Sequence, residues 1–133
     1  MCLAVYVASS IELPSIKWEK TAPAFYLKPA RSRDTVRRQF SLPNVYYAGS
    51  HEGCGCGFLK DGVPDEESEI YRANYRALAD CIRTAKHRGA AIELFSCWEG
   101  QQSARPEFVE SVNVDNVEGP SFCFKEGHFV RVA

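Results

Sequence analysis

A chain of 133 residues, 45% apolar and 25% charged, has the size and composition of one folded domain, which excludes a disordered or fibrous chain. Its net charge of −1 excludes a globally basic protein built to coat nucleic acid or an anionic membrane. No apolar run approaches the roughly 20 residues that a membrane helix needs, so neither a membrane nor a nucleic acid is expected as a partner.

The charge is unevenly spread. Up to Val45 there are seven Lys and Arg against three Asp and Glu, and the remainder carries nine against fourteen. The basic excess gathers in RSRDTVRR, from Arg31 to Arg38. No aromatic residue is interleaved with these arginines as a single-strand nucleic-acid platform requires, so the segment reads as a solvated surface turn or short helix.

In chain order, LAVYVAS (3–9) is a short apolar run rich in strand formers and reads as a buried strand. No basic segment precedes it, so a cleaved leader is not expected and the chain is placed in the cytoplasm. Cys2 is grouped with this strand. SIKWEKTA (15–22) reads as extended or looped chain between prolines, and PAFYLKP (23–29) as a strand near a sheet edge, closed by Pro29. A short helix or turn is expected around 33–40, then a third strand over 43–49, ending at Gly49.

The clearest element runs from Asp65 to Arg88. Tyr71, Tyr75, Leu78, Ile82 and Ala85 recur at spacings of three and four and form one apolar stripe. Asp65, Glu66, Glu67 and Glu69 suit the positive end of a helix, Arg83, Lys86, His87 and Arg88 the negative end, and Gly89 a left-handed cap. A helix of that length is roughly 35 Å long. AAIELFSCW (90–98) follows as a strand, which makes 43–98 a βαβ unit with parallel strands. FVESVNV (108–114) reads as a further strand, and 121–132 as a C-terminal β-hairpin turning on Glu126–Gly127. The fold class is therefore α/β or α+β: a single domain over 1–133, with a mixed sheet of five or six strands and one long helix. Exposed sheet edges leave a homodimer open.

One stretch carries more chemistry than a connection needs. GSHEGCGCGF (49–58) holds His51, Glu52, Cys54, Cys56 and four glycines. If the strands 43–49 and 90–98 are parallel neighbours, this loop and Ser96, Cys97, Trp98 and Glu99 meet at one carboxyl edge of the sheet, where α/β proteins form ligand crevices. His51, Cys54, Cys56 and Cys97 then offer imidazole and thiolate donors for a tetrahedral ion, with zinc the ion such a set would take. The same Cys54, Cys56 and His51 could instead form a reactive or redox thiol site, a protonated His51 lowering the thiol pKa. Alternating glycines could cradle an anion on backbone amides, and Ser50, Gly53, Gly55, Trp98 and Glu99 are the residues placed to touch a ligand there. The plainest account is a tight turn with inert thiols and no chemistry, in either a binding or a structural domain. Cys81, Cys123, Trp18 and Trp98 are assigned to the core.

Overall fold

The computed structural model describes residues 2–20, 24–60 and 62–133. One six-stranded sheet organises the chain: β1 (Leu3–Ser9), β2 (Tyr26–Pro29), β3 (Asn44–Gly49), β4 (Ile92–Trp98), β5 (Phe108–Val112) and β6 (His128–Val132). Across the sheet the order is β2-β3-β1-β4-β6-β5, antiparallel throughout except for the β5–β6 pair. The expected mixed sheet with one long helix is thus observed; the strand expected over 108–114 stops at Val112, and a short helix, α2 (Val114–Val117), follows it.

The long helix, α1, spans Asp65–His87, and Gly89 takes the left-handed conformation (φ 84°) that ends it. Its buried face is Asn74, Tyr75, Leu78, Ala79, Ile82 and Ala85, which packs on Leu3, Val5, Val7, Leu27, Leu94 and Val130 from alternate positions of the sheet. The opposite face of the sheet is buried too. Ala4, Tyr6, Ala8, Val45, Phe95, Cys97 and Phe129 are covered by Val36, Phe40 and Leu42 from a segment containing the 3-10 turn Thr35–Gln39. The basic segment 31–38 is therefore a lid on the second face, with Arg37 pinned by the carbonyls of Ala30, Arg31 and Pro43.

Two expectations change. The strands β3 and β4 are parallel to each other, because both run antiparallel to β1, but they are not neighbours: β1 lies between them. Their ends still share one edge of the sheet, and the start of β1 sits there with them. The C-terminal hairpin does not form. Only 128–132 is a strand, while Phe122 and Phe124 bury against Tyr75 and Phe58 without pairing with β6. Their alternation reflects burial of two aromatic rings, not a ladder.

Candidate metal centre

The loop after β3 is folded around Ser50, which is fully buried. Its N–H donates to the Cys54 carbonyl at 3.0 Å and its Oγ donates to the same oxygen. The Oγ also accepts from the Glu52 and Gly57 amides at 3.3 and 2.9 Å. From outside, Trp18 Nε1 donates to the Ser50 carbonyl (3.1 Å) and Tyr26 Oη to that of Gly53 (2.6 Å). Trp18 is 40% exposed, so its place is a clamp on this loop and not the core. Four of the amides that could have cradled an anion, those of Glu52, Gly53, Cys56 and Gly57, are engaged within the loop.

The alternating glycines have steric reasons. Only Gly53 needs its left-handed backbone, at φ 80°. A Cβ on Gly55 would stand 2.5 Å from the Leu3 carbonyl oxygen, and one on Gly57 would collide with Ser50. The turn Gly55–Phe58 is thereby laid directly on the start of β1, and the fully buried Phe58 anchors it between Phe25, Tyr75 and Phe124.

This close approach gathers thiols. The Sγ atoms of Cys2, Cys54 and Cys56 all lie within 4.8 Å of one another, the group among the described residues that could hold a metal ion. Cys2 precedes β1 and is exposed, while Cys54 and Cys56 are half-buried. The Cys2 carbonyl accepts the Glu99 N–H at 2.8 Å, which fixes the start of β1 to the end of β4. All six cysteines are free. Burial pushes the Cys54 thiol up to about 12, with the neighbouring Cys56 and Cys2 thiols adding to it against a lowering bond from the Cys56 amide. Cys54 is accordingly a neutral thiol at neutral pH, and an ion bound there must displace a proton.

The other residues singled out in the sequence are placed elsewhere. His51 Nδ1 lies 2.8 Å from Asn74 Nδ2, and its Nε2 faces Glu52 Oε1 at 3.4 Å. Its ring stands edge-on to Tyr71, and it is not a member of the thiol group. Cys97 is 1% exposed in the second apolar layer, and burial pushes its thiol up to about 12. Strand pleat explains this: Cys97 shares a face with Phe95, on the side away from α1. Trp98 packs half-buried on the main core, and the Glu99 carboxylate accepts from Gln102 at 2.8 Å. Cys81 is half-buried, with burial pushing it up to about 11, and Cys123 lies 3.7 Å from Tyr75 Oη outside any strand.

Two contributors were not singled out in advance. Cys2 was treated as part of the strand, and a strand inserted between β3 and β4 would have been the signal that it reaches the loop. Asn74 is a fully buried polar residue on the apolar face of α1. Its Nδ2 also contacts the carbonyls of Gly57 (3.1 Å) and Ile70 (3.3 Å), so the helix holds both the loop and His51.

None of the described helices is long and apolar enough to cross a membrane. No protein-family model, curated protein or solved structure matches the chain.

Proposed function

We propose that this protein binds a thiophilic metal ion, zinc being the foremost, on the thiolates of Cys2, Cys54 and Cys56. The single observation that carries the reading is the convergence of three sulfurs from two segments about fifty residues apart in sequence, within 4.8 Å of one another. Around a tetrahedral ion with bonds of about 2.3 Å the sulfurs would stand ~3.8 Å apart, so a contraction of about 1 Å or less completes the triad. Three thiolates leave one position of a tetrahedral zinc for a water or a small donor, the arrangement of an ion that can exchange a ligand.

The same geometry weighs against a reactive cysteine. Low thiol pKa values require a cationic or helix-terminal neighbour. His51 is turned to Asn74 and Glu52, and Cys54 is raised by burial.

Metal analysis of the purified, reduced protein tests the proposal. One zinc per chain is expected, with strong loss of retention in Cys2→Ser and in Cys54→Ser, and unchanged stoichiometry in Cys97→Ser and His51→Ala. Zinc bound no more tightly than by a free dithiol, or bound equally without Cys2, would leave the loop as a tight turn with inert thiols.

A further inference from the structure

On the face of the sheet away from α1, near the edge where β3 and β4 end, lies a hollow of about 470 Å³ whose walls include Tyr6, Tyr26 and Tyr47. Register explains the grouping. Tyr6 of β1 stands opposite Tyr47 of β3, and Tyr26 of β2 stands opposite Gly49, whose missing side chain leaves room for the Tyr26 ring. The Tyr6 and Tyr47 ring centroids are 5.5 Å apart with planes at 79°, and those of Tyr26 and Tyr47 are 6.1 Å apart at 40°. The Tyr47 ring is thus steeply inclined to Tyr6 and tilted against Tyr26, so the rings do not form a stack.

The hollow is lined by two carboxylates, Asp34 and Glu99, and two cations, Lys28 and Arg31. Glu99 lines it, and one of its oxygens, Oε2, takes the Gln102 amide while Oε1 has no hydrogen bond among the described residues. A second hollow of about 240 Å³ also opens onto Tyr6, Asp34 and Glu99. Two cations line the larger hollow as well. Arg31 is turned to Asp34 (3.3 Å) with its side chain 70% exposed, and Lys28 is exposed. Burial holds all three phenols above the ordinary tyrosine range, and Glu99 adds to this at each. The phenols therefore stay neutral and face a carboxylate.

We propose that this three-tyrosine hollow with Glu99 is a binding site for a small organic cation of the methylated-ammonium class. Aromatic faces attract a cation through their quadrupole, and the exposed Glu99 carboxylate at the rim adds charge complementarity. Methylation is favoured because three aromatic rings supply most of the apolar wall, which takes up methyl groups at less desolvation cost than N–H groups. An anionic ligand would have to sit beside Glu99. The site does not depend on a metal at the thiols.

Titration with tetramethylammonium chloride, followed by the amide and ring NMR signals of the tyrosines, tests this. Sodium chloride at matched ionic strength and sodium acetate are the comparison arms. Saturable shifts confined to Tyr6, Tyr26, Tyr47 and their neighbours are expected with tetramethylammonium alone. Glu99→Gln should weaken binding about tenfold, Tyr47→Phe should keep it within about threefold, and Tyr47→Leu should abolish it in a protein whose remaining spectrum is native. Cys2→Ser should bind as the parent does. Shifts that sodium chloride reproduces, saturation by acetate in its place, or undiminished binding in folded Tyr47→Leu would overturn the proposal.

Discussion

Replacing Gly55 by alanine is the most searching test of how the thiols are gathered. The added methyl would stand 2.5 Å from the Leu3 oxygen and 3.1 Å from both the Leu3 carbonyl carbon and Val5 Cγ2. Carbon and oxygen settle near 3.4 Å, so relief needs a shift of about 1 Å. The start of β1 resists the shift, because Leu3 is paired to Trp98 of β4 and the strand is paired to β3 as well from Val5 onward. The loop must lift instead, carrying Cys54 and Cys56 away from Cys2. Overpacking of this kind costs about 1–3 kcal/mol, and a displacement of that size among three ligand atoms should weaken zinc at least about tenfold, or ~1.4 kcal/mol. Gly53→Ala is the matched control. It has open space around its Cβ and a φ of 80°, so it should lose about 1 kcal/mol to backbone strain and keep its zinc. Urea unfolding of the metal-free variants and competition for zinc with a chromophoric chelator give both numbers. If Gly55→Ala equals Gly53→Ala in stability and also holds zinc like the parent, the close approach of loop and strand is not what assembles the site.

Other consequences can be measured independently. Because the Cys54 thiol sits at about 12, zinc binding should release its proton throughout roughly pH 6–9, adding one unit of slope to a plot of log affinity against pH that Cys54→Ser removes. In the metal-free protein the same thiol lends stability that is fully present below its ordinary value of 9.0 and is lost as pH climbs towards about 12, which alkaline urea titrations should register. His128 is 1% exposed among Phe108, Phe122 and Phe124, and burial lowers its pKa although Nε2 lies 3.3 Å from Glu110. The protein should therefore be fully stable above the usual histidine range near 6.5 and lose stability as pH falls below it, and His128→Phe should flatten that acid limb of the urea midpoint. Asn74→Ala strips the Gly57 carbonyl and His51 of their buried partner and should cost about 1–3 kcal/mol in urea while zinc stoichiometry stays at one.

The helix and most strands were legible because their periods are local. Tyr75, Leu78, Ile82 and Ala85 alone place α1 against a sheet, and Gly89 ends it as read. What the residues do not announce is which strand pairs with which, since pairing is decided by contacts far apart in the chain. The insertion of β1 between β3 and β4 could not be read from either sequence, and with it went the arrival of Cys2 at the loop. Cys97 was misplaced for a related reason: β4 is buried on both faces, so its apolar pattern carries no record of which side Cys97 takes. Phe122 and Phe124 mimic a strand because every second side chain is buried, although the partner is an aromatic cluster and not a ladder. Trp18 looked like core because of its size, but its indole N–H is committed to the Ser50 carbonyl at the surface.

The docking of the turn Gly55–Phe58 on the start of β1 has a consequence for the denatured chain. An ion held by Cys2 and Cys54 would cross-link points about fifty residues apart, as a disulfide of that span would. On the loop-closure estimate such a tether removes denatured-state entropy worth about 4 kcal/mol. All of β1, β2 and β3 lies within the tethered span. Metal occupancy would then act as a covalent-like staple on the denatured chain, and its loss would lower the stability of the whole cooperative unit with no change required in the native packing of β1, β2 and β3.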